Sequence, residues 1–139
     1  FYEIVFYLGF CYNDLGLYQK AYYYLDAIFH QNRISYTKEY IISLVNCHDF
    51  RALSVINSIL QRMEQLESNL QDEEDGNGKS ALHFRQFVNF LLKEKGYMLV
   101  VTGHLDEAEK LYKDMLKDPE NEAIALRELA NLERIKKEV

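Results

Sequence analysis

The stretch LGFCYNDLGLYQKA, residues 8–21, decides the fold. Apolar residues recur at helical spacing before it and after it, while Asn13, Asp14 and Gly16 interrupt the pattern with the residue types that stop a helix. It therefore predicts two helices joined by a short turn. Its skeleton returns 87 residues later: Gly96, Leu99, Gly103, Ala108 and Tyr112 stand at the spacing of Gly9, Tyr12, Gly16, Ala21 and Leu25. Two copies of one helix-turn-helix unit in a chain of 139 residues point to stacked repeats.

Working outward, the first helix covers residues 1–12, with Ile4, Val5, Leu8, Cys11 and Tyr12 as its apolar stripe. The second covers 18–30 on Ala21, Leu25, Ile28 and Phe29, and its run Tyr22-Tyr23-Tyr24 is expected to serve mainly in packing between helices. A third, 36–45, carries Tyr40, Ile41, Leu44 and Val45. The fourth runs from 49 past Leu70 on a nearly heptad stripe, Leu53, Ile56, Ile59, Leu60, Met63 and Leu66. It ends in the acidic segment 72–78, the one obvious loop. A fifth helix is expected from a Ser80 cap to Gly103, and a sixth from about His104 to Leu116. Asp118 and Pro119 then restart the chain as cap and first helical residue of a seventh helix, to about Glu138. No stretch alternates with period two, so no strands are expected and the fold class is all-α.

Charge and composition exclude several functions. Residues 1–63 carry five Lys/Arg and five Asp/Glu, so the net charge of -6 comes from the C-terminal part. An acidic surplus disfavours nucleic acid and anionic membranes, which require a basic face. Arg134, Lys136 and Lys137 complement the dipole of the last helix. Every apolar run is broken well short of the roughly 20 residues that span a bilayer, so no membrane insertion is expected. Cys11 and Cys47 read as buried thiols and favour a cytosolic setting. The chain opens at Phe1 inside a helical pattern and is expected to be a segment of a longer polypeptide.

The segment from Glu73 through Asp75-Gly76-Asn77-Gly78 has the middle of a calcium loop, but its twelfth position is Phe84, where a bidentate Glu is required. His30, His48, His83 and His104 form no close pair, and no glycine-rich phosphate loop or nucleophile turn is present. Catalysis, a metal and a cofactor are therefore not expected.

The repeated spacing resembles the tetratricopeptide repeat, a helix-turn-helix of roughly 34 residues with the pattern W-x2-L-G-x2-Y…A-x3-F…P. Leu8-Gly9, Tyr12, Ala21 and Leu25 match it, with Val5 in place of the Trp and Arg33 near the Pro. Lys95 replaces the Leu of the third unit, and Pro119 falls about one residue early. A degenerate middle unit rests on Ala52 and Ile56, with Tyr40 and Cys47 at the places of the two glycines. The resemblance implies a right-handed solenoid of antiparallel helix pairs: units about 2–35, 36–88 with an insertion near 62–80, and 89–119, then a capping helix 119–138. Some nineteen residues beyond two repeat lengths of about 34 are expected to lengthen the fourth and fifth helices into a hairpin over 62–90.

The same resemblance implies a non-catalytic module that binds a protein or peptide segment on the concave face formed by the first helix of each unit. Carried over residue by residue, that face consists of Phe6, Phe10 and Asn13, then Lys38 and Ile42, then Lys93 and Tyr97. Phe6 and Phe10 stand where a subtype that clamps the carboxylate of chaperone tails has its first polar residues, so tail recognition of that kind is not expected. Packing of Phe6 and Phe10 against a neighbouring helix is the competing reading. A spacer or self-association segment, or a ligand-sensing region of a larger multidomain protein, are the alternative functions.

Overall fold

A computed structural model describes the backbone of residues 1–72 and 78–138, and side chains outside 66–81. Among the described residues the chain is all-helical. The elements are α1 (Tyr2–Asp14), α2 (Tyr18–Ile28), a 3-10 turn (Phe29–Gln31), α3 (Ile34–Asn46), α4 (Arg51–Asp72), α5 (Gly78–Val101), α6 (Leu105–Met115) and α7 (Glu122–Glu138). The lengthening expected for the fourth and fifth helices is present: α4 has 22 residues and α5 has 24, against 11 to 13 in α1, α2, α3 and α6. The tip of the expected hairpin, at 73–77, lies outside the described residues, as does the segment with the partial calcium-loop pattern.

The chain divides into two compact units, Phe1–Ile59 and Leu60–Val139. In the first, α1 packs on α2 and both pack on α3. Gly9 makes the α1–α2 approach possible, because a Cβ there would run into the fully buried Leu25 side chain. In the second unit, α5 packs on α6 and α6 on α7. Here Gly96 plays the same part, a Cβ on it colliding with the Tyr112 ring. Burial pushes the Tyr112 phenol up to about 12, with Glu128 adding to the effect, so the ring is neutral at physiological pH.

The turns repeat as closely as the packing. Leu15, Gly16 and Leu17 donate their N–H groups to the carbonyls of Cys11, Asn13 and Tyr12 at 3.0, 3.0 and 2.8 Å. Thr102, Gly103 and His104 donate to Met98, Val100 and Leu99 at 3.0, 3.1 and 2.8 Å. Both are helix stops with the glycine left-handed, φ 78° at Gly16 and 83° at Gly103. The same three bonds close α3, where Cys47, His48 and Asp49 donate to Ser43, Val45 and Leu44. The left-handed residue there is His48, φ 54°, which corrects the placement of Cys47 at the second glycine's position. The cause is local. Ala52 follows Asp49 by three residues and bonds back to its carbonyl, whereas Ala21 follows Leu17 by four, so counting back from Ala52 lands one residue early.

Two further expectations are revised. On α1, Ile4 is 67% exposed and Leu8 and Cys11 are exposed, while Gly9 and Asn13 are buried and Val5, Phe6 and Tyr12 half-buried. A helix apolar nearly all round gives periodicity nothing to choose between, and the contact at Gly9 sets the inward face. Cys47, by contrast, is half-buried, and burial followed by the Asp49 charge pushes its thiol up. The last helix starts at Glu122 and not at 119. Asp118 Oδ1 accepts from the Glu120 N–H (3.0 Å), holding 118–121 as a turn, and buried Asn121 donates Nδ2 to Asn89 Oδ1 (2.9 Å). The α7 helix is tied to α6 by Lys136, whose Nζ lies 2.8 Å from Glu109 Oε2 and 3.3 Å from Asp106 Oδ1.

Of the three consecutive tyrosines, Tyr24 stacks on Tyr12 (5.6 Å) and Tyr22 on Tyr40 (5.8 Å), while Tyr23 points outward. The Tyr40 hydroxyl donates to Asp26 Oδ1 (2.9 Å), and burial together with that bond holds its proton well above the ordinary tyrosine range.

The glycine contacts yield a stability test. Alanine at Gly9 gains roughly 1 kcal/mol of helix propensity. Overpacking against Leu25, which has no exposed surface to retreat into, costs about 1–3 kcal/mol. Gly9→Ala should therefore lower the thermal unfolding midpoint; a raised midpoint would show that α1 and α2 are not held at this distance.

Candidate functional site

Five of the seven residues expected on a binding face belong to the first unit and two to the second. In the first, α1 carries Phe6, Phe10 and Asn13, and α3, which packs on it, carries Lys38 and Ile42. Phe6 lies 5.0 Å from the Tyr36 ring at an interplanar angle of 31°, and 6.2 Å from Phe10. Phe6 is thus half-buried and fixed by α3, whereas Phe10, one turn along, remains 45% exposed. The two aromatic residues divide the two readings between them: Phe6 packs against its neighbour and Phe10 presents its ring.

Asn13 is 8% exposed and belongs to the α1–α3 joint. Its Nδ2 donates to both the Glu39 carbonyl (3.0 Å) and Glu39 Oε2 (2.9 Å). Its Oδ1 and the hydroxyl of buried Tyr36 have no protein hydrogen-bond partner. An unmatched buried polar atom costs about 1–3 kcal/mol, and such atoms in folded proteins are commonly met by ordered water. The Arg33 guanidinium lies 5.5 Å from the Tyr36 ring, and Lys38 and Ile42 are half-buried one helical turn apart. Tyr36, Glu39 and Arg33 were missed by the sequence reading. Tyr36 and Glu39 flank Lys38 on α3, and that proximity was the available signal.

In the second unit, Lys93 and Tyr97 lie one turn apart on α5, Lys93 exposed and Tyr97 43% exposed. Between them Glu94 falls in register with buried Phe87, Leu91 and Met98. Burial raises its carboxyl above the ordinary range, and Lys93 only partly offsets this. A groove of about 380 Å³ runs beside α5, α6 and the turn into α7, with Val88, Leu92 and Leu111 in its wall and Arg85 and Asp118 at its rim.

Among the described residues, no group of three or more His, Cys, Asp or Glu side chains is placed to hold a metal ion. The displaced titrations have structural causes: Asp49 is lowered by its hydrogen bonds from Arg51, and Glu109 by those from Lys136 and Lys113. No described helix is long and apolar enough to cross a membrane. No protein-family model, curated protein or solved structure matches the chain.

Glu94 gives a pH-dependent outcome. Its folded pKa lies above the unfolded one, so ionisation opposes folding, and the protonated form's stability is lost as pH rises through the carboxylate range. Glu94→Gln should raise the unfolding midpoint at pH 7, and the gain should shrink as the pH falls towards 4. An equal gain at both pH values would place the effect outside ionisation.

Proposed function

We propose that the chain is a non-catalytic interaction module, a short tetratricopeptide-like right-handed solenoid whose first helices dock a peptide or protein segment. The internal repetition supports the reading: one three-bond turn closes α1, α3 and α5, and one glycine-to-large-residue contact sets the following helix on α1 and on α5. The observation that carries the docking role is Phe10, an aromatic ring 45% exposed on α1, one turn from the buried Asn13. Exposed aromatic residues rimmed by polar ones make strong anchors. On α5, Tyr97 with Lys93 offers an aromatic and a cation of the same kind. An amphipathic peptide that sets an apolar side chain on Phe10 suits this chemistry.

Peptides selected from a displayed library against the chain supply the assay. Phe10→Ala or Tyr97→Ala should weaken their binding by about 1 kcal/mol or more, roughly fivefold, with an unchanged helical circular dichroism spectrum. Selected peptides that bind both variants as tightly as the original chain would sink the proposal.

A further inference from the structure

The outer face of α7 carries a stripe at helical spacing, Glu122, Leu126, Ala130, Glu133 and Lys137, every member exposed, with Leu126 at 54%. Beside it a groove of about 390 Å³ runs between α6 and α7, walled by Leu126, Leu129 and Ala130 and edged by Glu109 and Lys113. Ala130 stands about one repeat length of 34 residues beyond Gly96, at the position where α1 and α5 place a small residue to receive a second, antiparallel helix. At the corresponding place in the first unit the start of α4 meets α2, with Arg51 5.0 Å from the Tyr22 ring and Ala52 and Ile56 fully buried. The α6–α7 groove is therefore shaped for a helix laid antiparallel to α7.

The charge pattern of α7 selects the occupant. When the helix is paired antiparallel with itself about a point between Leu129 and Ala130, Glu122 of one copy faces Lys137 of the other. Leu129 meets Ala130, and Leu126 lies over Ala130 and the methylenes of Glu133. Large side chains oppose small ones, and opposite charges close both ends. We infer that α7 pairs antiparallel with α7 of a second copy of this chain, each helix filling the other's α6–α7 groove. The contact is small and partly polar, which gives a weak, reversible dimer. It does not depend on peptide docking at Phe10.

Sedimentation equilibrium of the 139-residue chain between micromolar and millimolar concentrations tests the pairing. A reversible monomer–dimer equilibrium is expected, and Leu126→Glu should raise its Kd on the order of tenfold or more. Since Leu126 is largely exposed, the variant should keep its helical spectrum. Glu122→Lys and Lys137→Glu should each weaken the dimer alone, and an equimolar mixture of the two should restore it, because the mixed pair regains both opposite-charge contacts. A chain monomeric throughout, a dimer indifferent to Leu126→Glu, or swapped variants that fail to rescue one another would each overturn the pairing.

Discussion

The approach of a backbone to a large buried side chain governs this chain. At Gly9 the α1 backbone lies against Leu25, and at Gly96 the α5 backbone lies against Tyr112. A helix pair at that distance excludes water around the glycine, and apolar area removed from water is worth about 25 cal/mol per Å². The left-handed glycines at 16 and 103 then return the chain at the angle the seam requires. Distance and direction are thus fixed by four residues without side chains.

Polar groups adapt to that frame. Among the described residues, α1, α2, α3 and α6 begin without a side-chain hydrogen bond at the N-cap, so their first turns depend on packing and on main-chain bonds. Asn13, Tyr40 and Asn121 instead span elements, reaching Glu39, Asp26 and Asn89. These bonds fix how each helix is set against the next. The joint at Asn13 and Glu39 lies on the helix pair that exposes Phe10.

How much was legible in the sequence followed from how distinct each signal was. The turns at Gly16 and Gly103 were readable because glycine is nearly the only residue at ease there, and five positions recurred at one offset. The middle turn was misplaced by one residue because His48 took the left-handed position and Ala52, its anchor, sits one residue closer to the turn. Asp118 was read as a helix cap, yet it holds a turn of its own, and local bonding of that kind leaves the same letters as a cap. Of the candidate face, Phe10 and Tyr97 were placed with their rings exposed, while Asn13 was placed in a joint. A helix apolar on every side shows that aromatic residues are present without showing which way they point.

The turn after α3 reaches the left-handed conformation with a histidine, and it makes the same three main-chain bonds as its glycine counterparts. A non-glycine residue in that conformation costs about 1 kcal/mol. The joint therefore survives losing the residue that suits it best, since the same main-chain bonds close it. Such joints have high mutational tolerance: the letters at a turn can change for a small penalty, whereas the volumes on either side of the Gly9 and Gly96 seams cannot. Shape in this chain is carried by the exchange of small for large along a seam, and the wording of the turns is largely expendable.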